Sequence, residues 1–437
     1  MRKAILLVIF LYASGYAFAQ DSDTGTGAER RRNAYNEPIS EPFAQGRFIP
    51  DISLIADFSV ATRDIGDERY ESLEVPGLIH AHSHEGEDHH HAAPNARNGF
   101  NFNYGELSLY SVVDPYFDLF ATFHLSEESF EVEEAYFTTR SLPLGLQVKA
   151  GKYLSSFGRT NEQHSHYWDF ANQPLVYRAF FGDHGLLEKG ARLTLLAPLP
   201  FYLLIGGEIL TGENEASFGT EGFEDFTGAN SVEDVSGPGL YIGYIKTSFD
   251  IGQFVVLMGA SLARGKTRID HGVADDPAEN PEGHAASGTT GIAGADLTIK
   301  YLIDSYRYIS LQTEYLCRAL DGYRYDNAGT KAELEKHQSG LYSQLVVRFA
   351  RRWRIGFRYD LIDKNEVKAG GTMADLPDTL DRYTGMIEFN PSEFARIRLQ
   401  YGHDRSSYLY EGDRRKINNE LVLQFNMAIG AHGAHAF

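Results

Sequence analysis

The sequence predicts an all-β protein: a single transmembrane antiparallel β-barrel of about 16 strands. Three observations carry this. Short runs in which apolar and polar residues alternate recur down the chain, as strands with one greasy and one wet face require. The gaps between runs alternate between short turns and long polar connections, the layout of barrels with periplasmic turns and external loops. No later run reaches the roughly 18 unbroken apolar residues of a membrane helix, so only strands can cross a bilayer.

The elements follow in order. Residues 1–19 open with Arg2 and Lys3, continue through an apolar run from Ala4 to Tyr12, and end in Ala17-Phe18-Ala19, which is the layout of a cleaved secretory signal. Residues 20–46 are polar and charged, with Arg30 to Arg32, and read as a short flexible periplasmic lead. The barrel is expected over residues 47–437. Its first strand runs from about Arg47 to Val60, with Ile52, Leu54, Ala56, Phe58 and Val60 on one face; Ile55, on the other, breaks the pattern. Hairpin turns fall at Asp114-Pro115, Ser141 to Gly145, Ala197 to Pro200, Asp250 to Gly252, Asp304 to Tyr306, Arg351 to Trp353 and Asn390 to Glu393. Long external loops are expected at residues 62–100, 154–186, 212–237, 265–288, 321–339, 364–379 and 404–418, with one short external link at Ser126 to Ser129.

Period two is plainest in the later strands. Phe117, Leu119, Ala121, Phe123 and Leu125 oppose Asp118, Phe120, Thr122 and His124; Ile355, Phe357, Tyr359 and Leu361 oppose Arg354, Arg358 and Asp360. A helix would scatter these polar positions around its circumference. A two-sheet sandwich needs a dry inside and would not aim arginines at it. The last strand, Asn418 to Ile429, places Leu421, Leu423, Phe425, Met427 and Ile429 together, and a chain ending in Phe437 fits recognition by barrel-assembly machinery. Cys317 is the only cysteine, so no disulfide framework exists, and it reads as a passive lipid-facing residue.

Composition narrows function. A formal net charge of −20 argues against a nucleic-acid partner. The 28 Phe and 26 Tyr suit a lipid-facing surface with interfacial aromatics. No G-x-S-x-G, H-E-x-x-H or P-loop is present, so a non-enzyme is expected. Localisation in the outer membrane of a Gram-negative cell follows, with outer-membrane lipid as surroundings, metal ions or small solutes as partners, and a homotrimer by analogy with 16-strand porins.

Three sets of residues can carry chemistry. With apolar faces toward lipid, Arg348, Arg354, Arg358, Arg382, Arg396 and Arg398 line the lumen on one side, accompanied by Asp360 and Glu388. Glu106 and Asp118 line it on the other, with Glu131 and Glu134 of ambiguous face. Nearly opposite in the ring, these groups predict a transverse field across a wet pore; the alternative is that the arginines pair with local carboxylates and stiffen the wall. The connection 154–186 is too aromatic for a merely solvated loop and is expected to fold inward as a constriction, and its Glu162, His164, His166 and Asp169 can bind a divalent transition metal. In the first external loop, His80, His82, His84, His89, His90 and His91 stand with Glu85, Glu87 and Asp88, a tract suited to weak, multi-site binding of zinc, nickel or copper. No tightly bound cofactor is expected. His432 and His435 form a smaller periplasmic echo of this tract.

Several segments together carry a resemblance. Asp114-Pro115-Tyr116-Phe117, Glu131 to Tyr136, Leu146 to Lys152, Asn161 to His164, Trp168-Asp169-Phe170, Gln173 to Arg178 and the ending Gly430 to His435 resemble a Gram-negative outer-membrane family labelled zinc-regulated TonB-dependent outer membrane receptor. The hairpin around Lys149 to Phe157 is also similar to phosphate-selective porins. The first resemblance implies metal-linked expression and active uptake, but it presumes a plug of more than about 100 residues inside a 22-strand barrel, where this sequence offers a short lead and 16 strands. The expectation is therefore a passive, porin-like channel linked to divalent metal, zinc in particular. The rivals are a general or anion-preferring porin with incidental histidines, and a surface metal-binding barrel with a sealed lumen.

Overall fold

A computed structural model describes residues 50–79, 94–377, 379–409 and 414–430. The signal and lead (residues 1–46), the tract His80 to His91 and the terminal His432 and His435 lie outside the described residues. Sixteen wall strands pair antiparallel in chain order. They are β1 (Asp51–Arg63), β2 (Gly99–Val112), β3 (Phe117–Leu125), β4 (Phe130–Thr139), β5 (Leu146–Leu154), β6 (Leu187–Leu196), β7 (Tyr202–Leu210) and β8 (Leu240–Ile251). There follow β9 (Phe254–His271), β10 (His284–Leu302), β11 (Tyr308–Asp326), β12 (Lys331–Ala350), β13 (Trp353–Ala369), β14 (Leu380–Ser392), β15 (Ala395–Asp404) and β16 (Asn418–Gly430). The last strand closes on the first, with Leu54 opposite Ile429 and Val60 opposite Leu423, so no sheet edge is left among the wall strands.

The outer face is what the alternation requires. Ile52, Leu54 and Phe58 of β1, Leu345 and Phe349 of β12, Ile355 and Phe357 of β13, and Met427 and Ile429 of β16 are all exposed. At the short-turn end, rings on neighbouring strands pair: Phe117 with Phe137, Phe254 with Tyr301 and Trp353 with Phe389, their centroids 5.6, 4.8 and 4.7 Å apart. An apolar band bordered by such an aromatic girdle is the surface of a transmembrane barrel of the Gram-negative outer membrane. Cys317 is exposed on the same face.

Two features depart from the sequence reading. Strands β9 to β13 run 18, 19, 19, 20 and 17 residues, so the loops expected at 265–288, 321–339 and 364–379 shrink to residues 272–283, 327–330 and 370–379. A bilayer needs only about 9–11 residues of tilted strand. The extra length is rich in charged and polar residues, with small apolar clusters on its inner face, Ala286 with Leu320 and Leu334, and Ala285 with Tyr325, while the backbone ladder continues. The lumen also has a dry part. Leu210, Leu240, Ile242, Ala263, Ile292, Leu316, Ile362 and Leu380 face inward and form a core with residues of the third external loop. Ile55, the apparent imperfection in β1, is likewise buried, against Tyr104 and Ala428.

Candidate functional site

The loop from Ser155 to Gly185 folds into the barrel, as its apolar content predicts. Its centre is a short helix, Leu175–Phe181, in which every residue except Arg178 is buried. A helix apolar on all sides is stable only when surrounded. Here the inward residues of the wall surround it, and Gly182, at φ 71°, ends it in a conformation that favours glycine.

Polar bonds fix the loop to the wall around the ring. On β11, the buried carboxylate of Glu314 accepts from the backbone N–H of Arg159 (2.8 Å) and Thr160 (3.0 Å) and from the hydroxyls of Thr160 and Tyr177 (2.7 Å each). Tyr342 of β12 donates to it as well. On β7, Glu208 accepts from the Ser156 N–H at 3.0 Å, and on β9 the Ser261 hydroxyl accepts from Gly158 at 3.0 Å. Asp360 of β13 accepts from the Leu175 N–H at 2.9 Å, and Gln400 of β15 from Ala171 at 2.8 Å.

The six expected arginines all point inward, and the loop and two carboxylates occupy most of them. Arg354 forks onto Glu388 (2.8 and 2.9 Å) and reaches Asp169 at 2.8 Å. Arg398 donates to Glu388 at 2.9 Å and to the Trp168 carbonyl at 2.8 Å, and Arg396 donates to the same carbonyl at 3.3 Å. Arg358 bonds Asp360 (2.9 Å) and both oxygens of Asn172 (2.8 and 2.7 Å), while Arg382 bonds Asp360 (3.2 Å) and the Gln173 carbonyl (2.6 Å). Arg348 donates to the Arg351 carbonyl at the periplasmic turn. The arginine wall expected with Asp360 and Glu388 is thus largely paired, the alternative that the sequence also offered. Arg396 is less fully matched, its Nε and Nη2 buried without a hydrogen-bond partner.

The opposite wall is acidic. The ambiguity at Glu131 to Glu134 is resolved by a β-bulge: Thr122 pairs with Glu134 and Phe123 with Val132, leaving Glu133 as the extra residue. Alternation therefore slips by one, and Glu131, Glu133 and Glu134 all sit away from lipid. Glu106 of β2 lies beside them. Into this cluster the loop inserts His164 and His166, rings stacked with centroids 5.7 Å apart. His164 Nε2 is 2.8 Å from Glu134 Oε2, and its Nδ1 lies 3.4 Å from Glu106 Oε2 and 3.5 Å from Glu133 Oε2. His166 Nδ1 is 3.0 Å from Glu106 Oε2. Burial alone would lower the His164 pKa; the carboxylates of Glu106, Glu133 and Glu134 outweigh it and hold the imidazole well above its ordinary value.

The quartet expected as metal ligands is divided. Glu162 turns to Arg192 and Lys246, and Asp169 to Arg354 and Gln344. Only His164 and His166 stay together, with glutamates in place of the other two. Asp118 is remote from this cluster and takes Arg140 at 3.1 Å and the Tyr110 hydroxyl at 3.2 Å. Sequence reasoning missed Glu314, Arg192 and Lys246. Glu314 alone had a local signal, an acid within an otherwise uncharged run from Tyr308 to Cys317.

No protein-family model matches the chain. Among solved structures, the outer membrane channel DcaP of Acinetobacter baumannii aligns at a TM-score of 0.50 with 9% identity, covering 88% of this chain and 99% of that one. The anion-selective porin from Comamonas acidovorans aligns at 0.49 with 11% identity, over 87% and 100%. The likeness to DcaP is one of fold, an outer-membrane porin barrel. In sequence, an uncharacterized protein of Aquifex aeolicus (strain VF5) is 52% identical over 415 residues, which span 94% of this chain and 84% of that protein. The chain belongs to the same family as that Aquifex aeolicus protein.

Proposed function

We propose that this barrel is a passive outer-membrane channel for small solutes, narrowed by its third external loop and linked to uptake of divalent metal, zinc foremost. The observation that carries the reading is the loop itself, which crosses the lumen and is bonded to strands from β2 to β15. It fills the space that a separate plug occupies in 22-strand transporters, which favours passive passage over energy coupling. The metal link is supported by the histidines that the loop sets against three glutamates, and by the histidine-rich composition of His80 to His91. Such a histidine-rich tract would concentrate ions, and the constriction would sort them.

One observation favours a second reading, an anion-preferring porin. Arg396 keeps two buried N–H groups without a hydrogen-bond partner and stands 3.9 Å from a carboxylate shared with Arg354 and Arg398, so positive charge is in excess on this side of the lumen. Planar-bilayer recordings decide between the two. The metal-linked channel gives discrete conductance steps and a reversal potential that shifts when zinc is added to one side, with a smaller shift after deletion of residues 80–91. An anion-preferring porin gives conductance steps with a zinc-independent reversal potential. A barrel that inserts without conducting overturns both and leaves a surface binder with a sealed lumen.

A further inference from the structure

We infer that Glu106, Glu133 and His164 form a site for one divalent transition cation in the wall of the lumen, with zinc the best-fitted occupant. The inference deepens the metal-linked reading above and replaces its expected ligands with a set drawn from three separate parts of the chain. β2 supplies Glu106, the bulge in β4 supplies Glu133, and the inserted loop supplies His164. One ligand atom from each lies within 4.8 Å of the others.

The bond to Glu134 orients the imidazole with Nδ1 toward Glu106 and Glu133, and an ion bound there would displace the Nδ1 proton that these carboxylates favour. A carboxylate only accepts, so the 2.8 Å contact with Glu134 assigns a proton to His164 Nε2 and, in the neutral ring, leaves the lone pair on Nδ1. Nδ1 is buried and has no hydrogen-bond partner. It faces Glu106 Oε2 at 3.4 Å and Glu133 Oε2 at 3.5 Å. Two ligand atoms each about 2.1 Å from a tetrahedral ion stand about 3.4 Å apart, so both separations leave room for an ion in place of the Nδ1 proton.

The surroundings hold the ligands in place, as outer partners do in metal centres. Glu134 is fixed through its other oxygen by the Leu154 N–H at 2.7 Å. Glu106 is oriented by His166 Nδ1 at 3.0 Å and by the Ser108 hydroxyl at 3.1 Å. Two carboxylates and a neutral imidazole balance a double positive charge, and one nitrogen with two oxygens suits zinc and its neighbours more than calcium or magnesium. The Glu133 side chain remains 24% exposed and that of His164 14%. A fourth position therefore opens to the lumen, as in a site that exchanges its ion, unlike the closed shell of a structural zinc.

The test uses the full chain in detergent with His80, His82, His84, His89, His90, His91, His432 and His435 replaced by Ala, titrated with zinc chloride by calorimetry. One equivalent is expected to bind. Glu133→Gln and His164→Gln should each weaken it at least about tenfold, while Glu162→Gln and Asp169→Asn leave it unchanged. Cobalt(II) should give visible absorption that His164→Gln abolishes. Glu133 sits on the bulge with part of its side chain exposed, so its variant keeps the barrel, which heat-modifiable migration on gels verifies. No uptake by the histidine-depleted chain, or equal effects of Glu162→Gln and Glu133→Gln, overturns the site. Zinc uptake by a barrel without conductance supports the site and sinks only the channel; conductance without zinc uptake does the reverse.

Discussion

At the scale of residues, one carboxylate holds the inserted loop. Glu314 gathers two backbone N–H groups and the hydroxyls of Thr160, Tyr177 and Tyr342, and it is buried to 2% exposure. Its two oxygens offer about four lone pairs, so the five donors already share them and none is to spare. Glu314→Gln keeps one oxygen and turns an NH2 toward donors, so at least one buried donor loses its partner at a cost of about 1–3 kcal/mol. The loop should then open more often. The expected results are faster trypsin cleavage at Arg159 or Arg178 and a larger single-channel conductance; a protected loop with wild-type conductance would show that other contacts suffice. Gly158 offers a sharper perturbation of the same contact. Its φ is +64°, and an added Cβ would stand 2.1 Å from the Tyr177 hydroxyl and 2.5 Å from Glu314 Oε2, so Gly158→Ala should open the loop further than Glu314→Gln.

At the scale of elements, the inserted loop shares one dry core with the wall. Phe180 and Phe181 pack with Phe157, Leu240, Ile242 and Leu316, and Phe180→Ala removes a large side chain from a fully buried position. The cost should be about 3–5 kcal/mol, borne by the loop because the wall strands keep their ladders. Hydrogen exchange should therefore accelerate at residues 155–185 while β9 to β13 stay protected. Acceleration spread through those strands would mean that loop and wall form one cooperative unit. The same elements show how far the sequence could be read. Lipid exposure imposes strict alternation, so strand count, turn positions and outward residues such as Phe117, Ile355 and Met427 were legible. The inside obeys no such rule: Leu240, Ile242 and Leu316 face a helix from a distant loop, and nothing local distinguishes them from lipid-facing neighbours. The bulge at Glu133 was visible only as a broken alternation. The partners of His164 depend on where a 31-residue loop comes to rest, which no spacing in the chain encodes.

At the scale of the whole molecule, charge is divided across the lumen, with glutamates and histidines on β2, β4 and the loop facing arginines on β12 to β15. Pairing reduces this field without cancelling it. Glu388 serves Arg354 and Arg398 directly and lies 3.9 Å from Arg396, so one acid stands among three guanidinium groups. Its oxygens and both arginines beside it on β15 are almost fully buried, where screening by salt is weak. Glu388→Gln should leave that side of the lumen more positive and move the reversal potential in a potassium chloride gradient toward anions. The double variant Arg396→Gln with Arg398→Gln should move it toward cations, with Arg354 still holding Glu388. Removing one partner of a buried pair costs about 3–5 kcal/mol, so both variants should also melt earlier, which separates folding from conduction. Opposite shifts in potential would place the ion path beside this wall. Lowered melting with an unchanged potential in both variants would put the arginines off the path, leaving them the role of fastening Trp168 and Asp169, and with them the loop, to the barrel.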